Sequence, residues 1–293
     1  MSRFSNLDEI RRLDPEKDHQ RIVYLDTVFE FPWDTTRSLE FALFRTYAVP
    51  RSSELLVHTG ELEHRTQKRY DDTVLILAEI LEYGYDSERG RAALRRMNQQ
   101  HGTYPIDNEE FLYVLTTFVF EPVRWMERFA WRPMIEQEKL ALYYYWRELG
   151  KRMAIKNIPD SYEALEKYNI EYEAKHFRFH EANHRVGRAT VNLMLGWYLP
   201  RFLYGLGEPF LFAMMDDPLI EAFDFPKQAP WLRKFVASAL SLRGKLVRLL
   251  PARRRPRLLT EAWNRTYPQG YTIEELGPAH EQQKELAATL RRD

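Results

Sequence analysis

Histidine is the residue of this chain that can give a metal ion a neutral nitrogen ligand. Three of its eight histidines fall at regular spacing. His176, His180 and His184 are four residues apart, so a continuous helix would place them on one face. With Glu173 and Glu181 they form Glu-x-x-His twice, which is half of the motif of carboxylate-bridged di-iron bundles. Those bundles draw their motifs from different helices. A non-haem metal site on this face therefore competes with a charged stripe that faces solvent or a partner.

A second set of chemical groups lies earlier in the chain. His101 ends a predicted helix just before Gly102, where it is either a metal ligand or a cap favoured by the helix dipole. Arg69 and Thr73 are four residues apart, so a guanidinium and a hydroxyl can point from one helix face into one pocket. The alternative for them is a surface pair between Arg69 and an aspartate, with Thr73 in the helix interior.

Composition removes several functional classes. The 293 residues include no cysteine, which excludes disulfides, thiolate-bound zinc, iron–sulfur clusters, thiolate-bound haem and a cysteine nucleophile. The 43 basic side chains balance 43 acidic ones, and a dedicated nucleic-acid binder needs a clustered basic surplus. We therefore expect no nucleic-acid partner. Hydrophobic residues make up 44% and aromatic residues 14%, which is enough for a sizeable buried core.

The elements that must position these groups are predicted to be helices. Glycine is scarce, and apolar residues recur at spacings of three and four, which is typical of amphipathic helices. We predict an all-α fold with one helical domain over residues 1–260 and a C-terminal extension, 261–293, that packs on it or trails from it. The predicted helices are Asp18–Phe29, Thr35–Thr46, Leu62–Tyr83, Ser87–His101, Asn108 to a stop before Pro122, Glu136–Met153, a long helix from the Ile158–Ser161 turn to about Leu199, and one or two helices within Pro226–Leu250.

Two features concern location. The N-terminus lacks the apolar region of a signal peptide, and no apolar run reaches the length of a membrane span, which predicts a cytoplasmic protein. Arg243–Arg257 holds seven bases and no acid, interleaved with leucines. This stretch suits peripheral contact with an anionic membrane. The alternative is a solvated helix paired with Glu261, Glu274 and Glu275.

Several runs resemble the rubber oxygenase (latex-clearing protein) family, which includes the oxygenase of the mycophenolic acid pathway. The first runs are Thr59-Gly60-Glu61, Lys68-Arg69-Tyr70-Asp71-Asp72-Thr73, Arg95-Arg96-Met97-Asn98-x-x-His101-Gly102 and Asn108 to Leu115. Later runs are similar to a bacterial branch of that superfamily, namely Gly150-x-x-Met153-x-Ile155-x-x-Ile158-Pro159 and Tyr267-Pro268-x-Gly270-Tyr271. The resemblance covers most of the chain.

The resemblance implies a globin-like helical core with additional helices around a b-type haem. By motif position, His101 is the proximal iron ligand, and Arg69 and Thr73 lie on the distal side. A catalytic glutamate of the family lies upstream of the arginine, and Glu61 is the first candidate for it, with Glu54 the second.

Two further positions bear on the cofactor. Asp72 stands where rubber oxygenases can carry a lysine that ligates the iron in a closed state. Because aspartate is a poor haem ligand, we expect an open or water-filled sixth position beside Asp72. Arg96 is a candidate partner of the haem propionates.

The sequence therefore predicts a haem-b-dependent oxygenase that activates dioxygen and attacks or cleaves a double bond of a small apolar, isoprenoid- or lipid-like substrate. The substrate class depends on the family analogy alone. One alternative is a non-catalytic haem-binding sensor or carrier. Asp72 is compatible with it, because a changed residue on the distal side can alter or abolish reactivity. Another is a non-haem metal protein that uses the His176–His184 face. The oligomeric state stays open.

Overall fold

The computed structural model describes residues 3–278, and within that range the chain is α-helical with no β-strand, which confirms the all-α prediction. A π-helical turn covers Asp26–Glu30, and two short 3-10 turns cover Arg201–Leu203 and Ile273–Glu275. The helices are α1 (Ser5–Ile10), α2 (His19–Leu25), α3 (Pro32–Thr46), α4 (Pro50–Thr59), α5 (Glu61–His64), α6 (Thr66–Tyr83), α7 (Glu88–His101), α8 (Asn108–Phe129), α9 (Glu136–Arg152), α10 (Tyr162–His176), α11 (Glu181–Gly196), α12 (Tyr204–Phe212), α13 (Asp217–Phe223) and α14 (Pro230–Arg248).

Helix α8 lies at the centre of the fold, because α3, α9, α10 and α14 all pack against it. Val119 and Phe120 are fully buried. The ring of Phe118 stacks on Trp146 of α9 with 4.7 Å between centroids. These contacts explain the apolar runs Phe111–Leu115 and Phe118–Phe120 of α8, since the parts of a helix that other helices cover favour apolar side chains.

The predicted stop before Pro122 is wrong, because α8 continues through this proline to Phe129. A proline inside a helix removes one hydrogen bond and costs about 3 kcal/mol. The turns after it bury Trp125, Met126 and Phe129. Burying large apolar side chains contributes about 1.5–3 kcal/mol each, which offsets the cost of the proline.

The predicted helix to Leu199 is interrupted, because α10 ends at His176 and α11 begins at Glu181. The side-chain amide of Asn183 stabilises the break by donating to the carbonyl oxygen of Arg178 at 2.9 Å. The same amide also donates to the carbonyl oxygen of Ala48 at 3.0 Å. The interruption thus depends on a contact with a distant part of the chain.

The helices around the candidate site have defined ends. Ser87 caps α7 by accepting a hydrogen bond from the backbone of Gly90 at 2.9 Å. Gly84 ends α6 with a φ of +80°, which favours glycine. Gly102 follows α7 in a right-handed conformation, with a φ of −67°. The predicted Leu62–Tyr83 helix is divided at Arg65 into α5 and α6.

The C-terminal segment, which we define as residues 261–278, packs on α6 and α7. Tyr271 donates to Glu79 of α6 at 2.6 Å, and Leu276 is fully buried in the main core. The rest of the predicted extension, residues 279–293, lies outside the described residues. Within residues 3–278 no helix is both long and apolar enough to cross a membrane.

Candidate functional site

His101 is the last residue of α7. Its ring meets Phe111 of α8 edge to face, with 5.3 Å between centroids. Burial lowers the pKa of His101 to about 4, and the nearby charge of Arg69 lowers it further. The imidazole is therefore neutral at physiological pH, as an iron ligand must be. Its Nδ1 atom is buried and has no hydrogen-bond partner among the described residues.

Helix α6 presents Arg69 and Thr73 on one face, as their spacing predicted. The guanidinium of Arg69 donates to Thr73 Oγ1, and that hydroxyl donates to the carbonyl oxygen of Arg69 at 2.9 Å. The pair is thus held by local contacts. Helices α6 and α7 pack against each other, and the charge of Arg69 is close enough to His101 to lower its pKa.

The alternative surface pair between Arg69 and an aspartate does not form within the described residues. Asp72 pairs instead with Lys68 at 2.9 Å. Asp71 accepts from Gln67 at 3.0 Å and from Thr266 Oγ1 at 2.5 Å. The guanidinium of Arg69 is therefore committed to Thr73 rather than to an acid.

Two tyrosines that the sequence analysis missed lie near Arg69. Burial raises the pKa of Tyr47, which follows α3, and the charge of Arg69 opposes this shift. Burial also raises the pKa of Tyr104, again opposed by Arg69. The backbone N–H of Tyr104 donates to the carbonyl oxygen of His101 at 3.1 Å, so this tight turn was a local signal. Tyr47 had no such signal, because it lies just after α3, far from Arg69 and His101 in the sequence.

The two candidate glutamates have different surroundings. Glu61 of α5 pairs with Arg65, and its charge raises the pKa of Tyr104. Glu61 is therefore close to the tyrosine that follows His101. Glu54 is more than half exposed and lies 3.2 Å from Nε2 of His180. The role of either glutamate in the reaction stays a prediction.

Asp72 and Arg96 are both bound by the C-terminal segment. Tyr267 donates to Asp72 at 2.6 Å, in addition to the pair with Lys68. Arg96 donates to the carbonyl oxygens of Leu276 at 2.8 Å and Pro278 at 3.3 Å. The roles of Asp72 and Arg96 toward a cofactor stay predictions. In the structure both fasten this segment to α6 and α7.

The three regularly spaced histidines do not share a helix, so the basis of the His176–His184 metal face is wrong. His176 stacks on Tyr172 with 4.2 Å between centroids. His180 caps α11 by accepting from the backbone of Ala182 at 3.2 Å. His184 lies 2.7 Å from the carbonyl oxygen of Phe223. Among residues 3–278, no three His, Asp or Glu side chains are grouped to hold a metal ion.

Most of the chain matches one known protein family. Residues 42–249 match the family described as "ER-bound oxygenase mpaB/B'/Rubber oxygenase, catalytic domain". The chain belongs to this family. The part that matches the mpaB/rubber oxygenase family contains Glu61, Arg69, Thr73 and His101, whereas the C-terminal segment lies beyond it.

Two members of the mpaB/rubber oxygenase family are each 30% identical in sequence to this chain. The ER-bound oxygenase mpaB' of Penicillium brevicompactum is 30% identical over 239 residues, which cover 75% of this chain and 56% of that protein. The ER-bound oxygenase mpaB of Penicillium roqueforti (strain FM164) is 30% identical over 211 residues, which cover 66% of this chain and 70% of that protein. The chain thus spans little more than half the length of the first relative.

A solved structure extends the likeness to the fold. The latex clearing protein LCP in its closed state matches 96% of this chain and 77% of its own, with a TM-score of 0.54. Its sequence identity is 13%, so this likeness concerns the fold alone. The helical architecture of the mpaB/rubber oxygenase family is therefore shared despite strong divergence in sequence.

A small cavity of about 40 Å³ lies between α3 and α6. Its wall is mostly apolar and includes Leu39, Leu43, Leu77 and Leu81. Glu40 and Glu82 are buried acids in this wall, and burial raises the pKa of Glu40 to about 7. The hydroxyl of Tyr70 and the charge of Arg37 oppose that shift.

We expect Glu40→Gln to remove a pH dependence of stability. A carboxyl whose pKa is raised on folding contributes stability at low pH and loses it as pH rises from about 4.5 to about 7. Relative to the wild type, the variant should therefore gain about 2–3 kcal/mol between about pH 5 and pH 8. Urea unfolding at both pH values measures this, with the exposed Glu136→Gln as control. An unchanged difference between Glu40→Gln and the wild type would contradict the burial argument.

Proposed function

We propose that this protein is a haem-b-dependent oxygenase that holds its cofactor through His101 and oxidises an apolar, isoprenoid- or lipid-like substrate at a double bond. The observation that carries the proposal is the imidazole of His101, whose buried nitrogen has no partner, on the helix that packs against α6 with its Arg69–Thr73 pair. Membership of an oxygenase family supports the reaction class.

The donor set of the site suits a haem. With no cysteine in the chain, an axial ligand from the protein must be nitrogen or oxygen, and neutral imidazole is a common haem ligand. When bound, the haem iron supplies the activation of dioxygen, which amino-acid side chains do not provide. Cleavage of one double bond by one dioxygen molecule into two carbonyl groups balances without an external reductant.

The side chains around His101 supply positioned hydrogen-bond donors. Arg69 carries a fixed positive charge, and Thr73 orients its guanidinium by accepting a hydrogen bond from it. Donors that are held in place before reaction stabilise developing negative charge on oxygen at little reorganisation cost. Glu61 is the candidate proton acceptor, since its charge acts on Tyr104 next to His101.

An apolar substrate is consistent with the surfaces close to these residues. Val74 follows Thr73 directly and lines the cavity between α3 and α6. Cavities with apolar walls and few polar groups are typical of binding sites for small apolar molecules.

Dioxygen consumption tests the proposal. Protein purified from haem-replete cells is mixed with unsaturated isoprenoids or unsaturated lipids, and saturated analogues serve as controls. We expect uptake only with the unsaturated compounds, together with carbonyl products in the mass spectrum. A bound haem with no uptake toward any of them would instead support the sensor or carrier function.

We expect Thr73→Val to reduce the rate of dioxygen consumption about tenfold, which is the effect of one lost hydrogen bond of about 1.4 kcal/mol. Haem content should not change, because Thr73 is not a proposed ligand. Thr66→Val is the matched control, since Thr66 also lies on α6 and donates to the carbonyl oxygen four residues earlier. Equal rates for the two variants would remove Thr73 from the reaction.

A further inference from the structure

The outward face of α14 is apolar although it lies at the protein surface. The inner face buries Leu232, Val236 and Gly244. A Cβ atom at Gly244 would lie 2.5 Å from the carbonyl oxygen of Phe129. The glycine therefore lets α14 sit directly against the end of α8. This close contact fixes which residues of α14 point away from the protein.

Five large side chains form a row on that outward face, which we call the apolar stripe. Trp231 is 71% exposed, Phe235 57%, Leu242 56%, Leu246 57% and Leu249 80%. Their separations of four, seven, four and three residues place them on one side of a helix. A contiguous exposed apolar patch of this kind is characteristic of an interaction surface.

The 3-10 turn at Arg201–Leu203 and the neighbouring helix α12 add a second row of exposed apolar side chains. Phe202, Leu206 and Phe210 are 84%, 70% and 48% exposed and follow each other at steps of four residues. Ala213, just after α12, packs with Leu232 of α14 in a small cluster. In the described part of the chain, ten of the fourteen exposed large hydrophobic side chains fall within residues 198–250. The exposed apolar surface is thus concentrated in one region.

Basic residues accompany the apolar stripe. Residues 225–260 contain ten lysines and arginines and no acid. At about 100° per residue, Lys234 and Lys245 lie about 60° and 40° to one side of Trp231. Arg248 and the exposed run Arg253–Arg255 continue this row of charges. We call Lys234, Lys245, Arg248 and Arg253–Arg255 the basic margin.

The basic margin is not neutralised by the protein itself. Within residues 3–278, Lys234, Lys245, Arg248 and Arg253–Arg255 form no ion pair, and the acids expected as their partners, Glu261, Glu274 and Glu275, make none with them. Three acids near α12 and α14 already form ion pairs with other basic side chains. Asp217 pairs with Arg233 at 2.7 Å, Glu221 with Lys227 at 2.7 Å and Glu208 with Arg188 at 2.6 Å.

We propose that the apolar stripe and its basic margin dock this protein on an anionic lipid membrane, with the stripe in the boundary between headgroups and acyl chains. Interfacial helices combine these two features, because apolar side chains enter the boundary while lysine and arginine meet anionic headgroups. A second copy of the chain is a poorer occupant. A two-fold interface would bring the same basic margins toward each other.

Vesicle co-sedimentation tests the docking surface. The full chain is mixed with vesicles of phosphatidylcholine alone or of phosphatidylcholine with phosphatidylserine, at low and high salt. We expect binding to the anionic vesicles that weakens at high salt, because screening shortens the reach of the charges. Replacing Arg253, Arg254 and Arg255 together with glutamine should lower the partition coefficient about 100-fold, or about fivefold per arginine.

The apolar contribution is tested separately. Leu242→Gln combined with Leu246→Gln should lower partitioning about 100-fold, because each leucine loses its burial among the acyl chains. The matched controls are Ile170→Gln, which changes an exposed apolar side chain on α10, and glutamine at the exposed positions Arg11, Arg12 and Lys17. Both controls should bind like the wild type. All of these positions are exposed, so equal urea unfolding midpoints are expected.

Three outcomes would overturn the proposal. One is absence of binding to anionic vesicles, and another is binding that none of the α14 or arginine substitutions reduces. The third is a concentration-dependent dimer in analytical ultracentrifugation that the Leu242→Gln, Leu246→Gln variant abolishes. That result would show that a second copy covers the stripe.

Discussion

The His101→Ala variant is expected to be purified with almost no haem. Among the described residues, His101 is the one histidine with a buried ring nitrogen that has no hydrogen-bond partner. Even the loss of an outer partner of a metal ligand costs about 10- to 100-fold in affinity, so loss of the ligand itself should cost at least about 100-fold. Haem content per chain, measured as the pyridine haemochrome, checks this, and dioxygen consumption should fall with it.

The matched control is His58→Ala, because His58 is an exposed histidine on α4. It should keep the full haem content. Added imidazole should restore haem binding to His101→Ala by entering the space that the side chain leaves, which a purely structural defect would not allow. Full haem content in a folded His101→Ala variant would contradict the assignment of the ligand.

The Arg132→Met variant is expected to lose about 3–5 kcal/mol of unfolding free energy. Arg132 pairs with Glu30 at 2.9 Å and with Glu138 at 2.6 Å, and both carboxylate side chains are fully buried. Its guanidinium also lies 4.6 Å from the ring centroid of Phe31. Removing one partner from a buried ionic group leaves uncompensated charge and costs this much. Urea unfolding followed by circular dichroism measures the change.

A surface pair provides the control for Arg132→Met. Lys167 and Glu171 lie 3.8 Å apart and are 75% and 66% exposed. Exposed pairs of this kind contribute about 0–1 kcal/mol. Lys167→Met should therefore unfold at nearly the wild-type urea concentration. If Arg132→Met were as stable as Lys167→Met, the buried carboxylates would need another source of compensation.

The parts of the fold that depend on local periodicity were predictable from the sequence. Ser87 begins α7 and His101 ends it, because a cap and a regular apolar pattern act over neighbouring residues. The shared face of Arg69 and Thr73 follows from a spacing of four residues. The family resemblance then selected His101 from eight histidines, which spacing alone did not do.

The parts that depend on distant contacts were not predictable. The break between α10 and α11 needs Asn183 to reach Ala48, which is 135 residues away. The bond from Tyr267 to Asp72 spans 195 residues. Local propensity contains no information about such contacts, so tertiary structure overrides it. For the same reason the sequence did not reveal Tyr47, because it comes near Arg69 only in the folded protein.

The central claim is that this chain binds haem b through His101, and the absorption spectrum of the purified protein tests it most directly. Protein from haem-replete cells is compared with the same protein after titration with added haem. The account predicts a Soret band that saturates at one haem per chain and that His101→Ala lacks. A protein without this band, even after added haem, would contradict the account.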